Sequence, residues 1–256
     1  MDSGLGGLTV VRELSRLLPE QSLVYFGDNA NCPYGNRSQE EILKLSFAML
    51  DFLRDRGVSI AAVACNTIST LIKELRGRYD FPIVSIIEEA CKYTAGLNLT
   101  QVGVFATEFT IRQGLYETLL RQLRPEIKVY GVSSRTLAGL VDEGRFNDPA
   151  IDTEVRSLVN SMQKACPELK HVILGCTHYP IVQDLFEKAA PGVSFINPAV
   201  AQALAVKELL SGRGLLSGGS QAGLDIRTSG EKQIYEAALK KLDIRRPVSI
   251  HITKKA

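Results

Sequence analysis

Two apolar runs, Ile60-Ala61-Ala62-Val63-Ala64-Cys65-Asn66-Thr67 and His171-Val172-Ile173-Leu174-Gly175-Cys176-Thr177-His178, repeat one design within a 256-residue chain. Each is short, ends on a cysteine and turns polar at once, which is how a buried parallel strand delivers a side chain to the carboxyl edge of its sheet. The correspondence extends further. The polar turn and helix after Asp2 match those after Ala106, residues 23–26 match 128–130, and 83–87 match 194–196. Every counterpart lies roughly 105 to 111 residues on, as two homologous α/β units facing one another would produce. The fold expected is therefore α/β, with two pseudo-symmetric parallel-sheet domains and the functional site in the cleft between them. The first domain is assigned to residues 1–92 plus 207–256, on the Cys65 side, and the second to 93–206, on the Cys176 side.

Strands are expected at 22–26, 60–64, 82–87, 101–106, 127–130, 172–174 and 193–196, with a further short run at 224–228. Helices are expected over 8–18, 40–56, 110–122, 153–165 and 232–242; the first places Leu8, Val11, Leu14 and Leu18 on one face. Residues 211–223, rich in Gly and Ser, read as a loop or linker. The repeat also exposes a gap. In the second half the polar turn is led in by an apolar strand over 101–105, whereas only Met1 precedes Asp2. A strand is thus expected to be missing beside 23–26 and 60–64, as though Met1 were internal to a longer chain, and a vacancy in the sheet is the structural sign that would go with it.

Composition narrows the classes of function. Lys and Arg total 30 against 28 Asp and Glu, a net charge of +2 without long like-charge blocks, so neither nucleic acid nor an anionic membrane is expected as partner. No apolar run approaches the roughly 18 residues of a membrane span, and the first residues lack a signal-peptide pattern. Five cysteines, without disulfide-scaffold density, suggest reduced thiols and a cytoplasmic location.

The motifs converge on proton chemistry. Asp2-Ser3-Gly4-Leu5-Gly6-Gly7 puts a carboxylate and a hydroxyl on a glycine-rich turn opening a helix, where bare N–H groups favour an anion. It has neither the Walker pattern nor the dinucleotide fingerprint. Two strand-end thiols in register suit symmetric chemistry, one taking a proton from one face of a substrate while the other returns a proton to the opposite face. Abstracting an α-proton without a Schiff base requires a dry site and donors for the developing charge, and Asn66, Thr67 and Thr177 are suitable. A thiol serves as base only when its thiolate is supported, which His178 or a helix N-terminus could do. Inert buried cysteines, a disulfide, or a metal held by Cys176 and His178 are the alternatives, the last weakened by the lack of Cys-x-x-Cys spacing. Cys32, Cys91 and Cys166 have no matched partner and read as packing residues or exposed thiols.

Asp2-Ser3-Gly4-Leu5-Gly6-Gly7-Leu8-Thr9-Val10, Tyr25-Phe26-Gly27-Asp28 with Pro33-Tyr34-Gly35, Ala64-Cys65-Asn66-Thr67, Val141-Asp142-Glu143-Gly144 and Leu174-Gly175-Cys176-Thr177-His178-Tyr179-Pro180 resemble the successive motifs of the bacterial glutamate racemases, in the aspartate/glutamate racemase superfamily. The resemblance runs over nearly the whole chain. It implies two pseudo-symmetric α/β domains and a two-base mechanism with no cofactor and no metal. Carried over motif by motif, Cys65 acts on the D-enantiomer and Cys176 on the L-enantiomer, Asp2 assists Cys65, His178 assists Cys176, and Glu143 is a further polar helper. Asp2, Ser3, Pro33, Tyr34, Gly35, Asn66, Thr67, Thr177 and His178 bind substrate, joined by Thr107 and Thr110 in the turn equivalent to Asp2-Ser3. The partner implied is glutamate, supplying D-glutamate for peptidoglycan precursors, with a homodimer left open. Aspartate racemase, or a racemase-like protein that binds without turnover, are the competing readings.

Overall fold

Parallel pairing is the rule in both sheets of this computed structural model, which describes residues 1–253. The strands are β1 (Leu23–Gly27), β2 (Ala61–Val63), β3 (Ile83–Ser85), β4 (Gln101–Thr107), β5 (Lys128–Ser134), β6 (His171–Gly175), β7 (Ser194–Ile196), β8 (Leu224–Thr228) and β9 (Val248–Ile252). One sheet has the order β5-β4-β6-β7. The other is assembled from two pieces, β9-β8-β1 and β2-β3. Setting β1 against β5, β2 against β6 and β3 against β7 superposes the two orders, with one position of the first sheet lacking its strand. That position is the counterpart of β4.

Met1 and Asp2 close its upper end. The Met1 nitrogen donates to Ala62 O at 2.8 Å, and Ala64 N donates to Met1 O at 3.0 Å. On the other side Asp2 N donates to Phe26 O at 2.9 Å and Asp28 N to Asp2 O at 3.2 Å. Asp2 is thereby stitched between β1 and the end of β2, one bridge long. Below it lies a channel of about 280 Å³, walled by apolar groups including Val10, Leu14, Leu23, Leu53 and Ala62. The vacancy expected from the repeat is present, beside the two strands named for it.

The helices Leu8–Leu17, Ile86–Gly96, Leu115–Leu123 and Pro198–Gly212 supply the packing between the sheets. Val10, Leu14, Ala90, Leu120, Ala203 and Val206 from these helices form one buried cluster with Val84 of β3 and with Val102 and Val104 of β4. Residues of both halves therefore pack into this one cluster, which stands beside two others. Ile86–Gly96 and Pro198–Gly212 each run unbroken through 92/93 and 206/207, the boundaries expected from sequence. Gln202, inside the second of these helices, donates to Val63 O and Val84 O at 2.9 Å, fixing the ends of β2 and β3 just before the polar turn that follows.

Local signals explain most boundaries. The helix Gln39–Arg54 starts on a capping box, Ser38 receiving from Glu41 N while the Glu41 carboxylate accepts from Ser38 N. Ser85 caps Ile86–Gly96, and Pro198 occupies the first turn of its helix behind Asn197. The stretch expected as one helix over 110–122 is two, Glu108–Gln113 and Leu115–Leu123, because Gly114 takes φ +66° and reverses the backbone there. β5 runs on to Ser134 and β9 is an additional exposed edge strand.

Candidate active site

The carboxyl ends of β2, β4 and β6 meet at the cleft, and the two repeated cysteines stand there. Cys65 follows β2 and opens the one-turn helix Asn66–Ser69; Cys176 directly follows β6. Both thiols are buried, at 4% and 6% exposure, and all five cysteines are free. Each thiol has its own polar neighbour. Ser3 Oγ lies 3.5 Å from Cys65 Sγ, and His178 Nδ1 lies 3.7 Å from Cys176 Sγ.

Polar ties cross from one unit to the other around this pair. Asp2 accepts from Gly4 N and from the Thr177 hydroxyl, both at 3.0 Å. Asp142 Oδ1 accepts from Leu5 N and faces His178 Nε2, both at 2.8 Å, while Asn29 donates to Asp142 Oδ2 at 2.8 Å. The hydroxyls of Thr67, Thr107 and Thr110 form a closed triangle with edges of 2.9 to 3.3 Å. Tyr116 donates to Asn66 Oδ1 at 2.7 Å, which orients the amide and leaves Asn66 Nδ2 buried without a hydrogen-bond partner. A native buried donor left unpaired calls for an acceptor, and this one lines the cavity between the thiols. The glycine-rich turn is what permits such closeness: a Cβ on Gly4 would collide with the Asp142 carboxylate, and one on Gly6 with Thr177 and His178.

Electrostatics separates the two thiol environments. Burial pushes the Cys65 thiol up to about 12, the Asp2 carboxylate adding to the effect and Ser3 opposing it. Burial also raises Asp2 above the usual carboxylate range, against His178, Gly4 N and Thr177, which favour its ionised form. For His178 burial works against the charge, but hydrogen bonds to Asp142, Cys176 and Cys32 outweigh it and hold the imidazole well above its ordinary value. Burial likewise opposes ionisation of Asp142, yet His178, Leu5 N and Asn29 depress it. His178 and Asp142 therefore form a buried ion pair beside Cys176.

Ser3, Pro33, Tyr34, Gly35, Asn66, Thr67, Thr107, Thr177 and His178 line one cavity together with Cys65 and Cys176. Asp2 and Thr110 stand behind that wall, joined to it through Thr177 and through the threonine triangle. Tyr34 presents its ring, its hydroxyl being committed to Asp28 Oδ2 at 2.7 Å. Glu143 is placed elsewhere: its side chain is 54% exposed and pairs with Arg145 at the surface. Asp142, its neighbour in sequence, makes the contact with His178. The helix Leu137–Asp142 explains the difference, since Asp142 lies one turn from Ala138, which lines the cavity, and Glu143 is rotated off that face. Cys32, read from sequence as an unmatched thiol, also reaches the cavity wall. Tyr116 enters through a helix with no motif of its own.

Paired strand-end thiols, a shared closed cavity and two repeated parallel units define a class, and comparison with known proteins bears on which one. The profile of the Asp/Glu/Hydantoin racemase family matches residues 7–206, and the chain belongs to that family. The relatives found are more particular. The chain is 36% identical over 192 residues to a glutamate racemase of Oceanobacillus iheyensis, covering 73% of this chain and 69% of the relative. The structure of glutamate racemase isoform RacE1 from Bacillus anthracis superposes with a TM-score of 0.89 at 30% identity, covering 98% of this chain and 95% of that one. Glutamate racemase from Francisella tularensis, solved with D-glutamate, superposes at 0.88 with 27% identity, over 99% and 95% of the two chains.

Proposed function

We infer that this protein interconverts L- and D-glutamate by a two-base reaction at Cys65 and Cys176, supplying D-glutamate for peptidoglycan precursors in the cytoplasm. The observation that carries the reading is the pair of buried thiols at equivalent strand ends, each with its own supporting group, on one cavity. A thiolate on one side takes the Cα proton, forming an S–H bond as the C–H bond breaks. The thiol on the other side then gives its proton to the opposite face of Cα, becoming the thiolate for the reverse turn. Asp2 serves the Cys65 side, and the His178 cation supports charge on Cys176 during turnover. Asn66 Nδ2, the threonine triangle and Ser3 supply the donors that a dicarboxylic amino acid requires.

Substrate class follows from the relatives, whose names specify glutamate. Aspartate is shorter by one methylene, a difference worth only about 1–3 kcal/mol in a pocket. Incubation in D₂O with each amino acid in turn tests the reading. Deuterium should enter at Cα of glutamate together with loss of optical rotation. Exchange confined to aspartate would assign the other substrate, and no exchange with either would make the protein a binder without turnover. No helix among the described residues is long and apolar enough to cross a membrane. Cytoplasmic location belongs to the proposal, as does a homodimer, to be tested by sedimentation.

A further inference from the structure

On one side of the substrate cavity, where Cys32 and His178 line its wall, these two and Asp142 bring a sulfur, an imidazole nitrogen and a carboxylate oxygen within 4.8 Å of one another. We propose that these three side chains form a site for one thiophilic divalent cation of the zinc class, and that the bound cation clamps the cleft shut. Thiolate, imidazole and carboxylate together select a borderline-soft ion over Mg²⁺ or Ca²⁺. Tetrahedral Zn²⁺ with such ligands sets their atoms about 3.3–3.8 Å apart, so the cation is accommodated once His178 Nε2 and Asp142 Oδ1, now 2.8 Å apart, part by a fraction of an ångström. Three protein ligands leave the fourth position to water.

A separate cavity supplies the approach. About 360 Å³ in volume, it is lined by Asn29, Cys32, Asp142, Ser229 and, toward solvent, Glu143 and Glu231. A hydrated cation meets Cys32 and Asp142 there, with His178 on the substrate-cavity side, and is attracted by two carboxylates of which Glu143 also pairs with Arg145. Asn29, donating to Asp142 Oδ2, and Leu5 N, donating to Oδ1, already fix the carboxylate as outer partners of a metal ligand do. Binding displaces the Cys32 thiol proton and the proton shared by His178 and Asp142, both released to solvent. Cys32 lies on the loop after β1, whereas Asp142 and His178 belong to the segments after β5 and β6. The cation therefore ties the two units together across the cleft.

Co²⁺ is the spectroscopic probe and Zn²⁺ the thermal one, both on the substrate-free protein, so the result does not depend on the reaction assigned above. Wild type should bind one Co²⁺ with a thiolate-to-cobalt charge-transfer band, and one Zn²⁺ should raise its melting temperature by several degrees. Zn²⁺ should also lower turnover at least tenfold, reversed by a chelator. Cys32→Ser should lose the band and the thermal shift, and Cys91→Ser, far from the site, should keep both. Peptide mapping of wild type alone provides a check that needs no variant: bound Zn²⁺ should block alkylation of Cys32. A band that survives in Cys32→Ser would move the cation to Cys65 and Cys176 and overturn the proposal. So would free alkylation of Cys32 at saturating Zn²⁺, or no binding at all.

Discussion

At neutral pH the Cys65 thiol, pushed up to about 12, carries its proton, the state that the proposed two-base reaction asks of its acid. Replacing it by serine removes a proton donor matched to the task, and Cys176→Ser does the same on the opposite face. Each should lower kcat/KM by about 10²–10⁴-fold with the melting temperature little changed, measured by the loss of optical rotation of L-glutamate and by calorimetry. Near-normal turnover in either variant would remove the two-base assignment. Asp142 and Glu143 provide a second contrast. Asp142→Ala leaves the His178 cation buried and unpaired, which costs about 3–5 kcal/mol by denaturant titration, while Glu143→Ala should stay within about 0.5 kcal/mol of wild type. The pH dependence follows from the directions of the two shifts. Depression of Asp142 contributes stability that is present above its unfolded value of 3.8 and lost as pH falls below it. Elevation of His178 contributes stability that is complete below 6.5 and lost as pH rises through the folded value. The stability difference between wild type and Asp142→Asn should thus be widest between the two unfolded values of 3.8 and 6.5, shrinking in stronger acid and again as pH rises through the folded value of His178. The resemblance named Glu143, and two adjacent carboxylates in one motif are indistinguishable until the helix phase is known; in the structure Asp142 is the one that meets His178. Cysteines at strand ends were legible because the apolar runs before them announce both the strand and its polarity.

Between β1 and β2 the sheet is bridged only at its upper end, by Asp2, and this makes the two sheets unequal in a measurable way. β4 pairs along its length with β5 and with β6, so its amides are held inside a continuous ladder. Among the described residues, no strand lies between the edges of β1 and β2 that face the channel. Amides of β4 and β6 should accordingly exchange with solvent deuterium near the global unfolding rate, while those of 23–26 and 61–63 exchange through smaller local openings. Equal protection in both sheets would mean that the channel is closed in solution. The unequal pairing was readable from the repeat, since a strand over 101–105 with no counterpart before Asp2 leaves one slot to fill. Less was visible where tertiary context decides: Gly114 breaks a helix whose apolar period continues across it, and Val248–Ile252 becomes a strand only because β8 offers it an edge. The helix Pro198–Gly212, apolar on most sides, is set by burial between the two halves rather than by any amphipathic stripe.

The shared core and the closed cleft together define how the molecule as a whole must move. The cavity between the thiols measures about 10 Å³, room for roughly one water molecule and not for an amino acid. Substrate therefore enters only when the cleft opens. What resists opening is polar: Thr177 to Asp2, Leu5 N to Asp142, and the threonine triangle each link the two units, and His178 holds Asp142 in place for Leu5 from within the second. What persists is the apolar cluster running from Val10 and Leu14 through Val84 to Val102 and Val104, which closes the opposite side of the cleft. Opening is thus a hinge about a packed core, with the clasp around Asp142 as the part that lets go. Because that cluster is common to both halves, thermal unfolding should be one cooperative transition, with calorimetric and van't Hoff enthalpies equal. The clasp should open far more often. Leu5 N, which donates to Asp142 across the cleft, should exchange at least tenfold faster than the amides of β4, and saturating glutamate should slow it. If Leu5 N is as protected as β4 without ligand and unchanged with it, the cleft is rigid and substrate must have another route to the thiols.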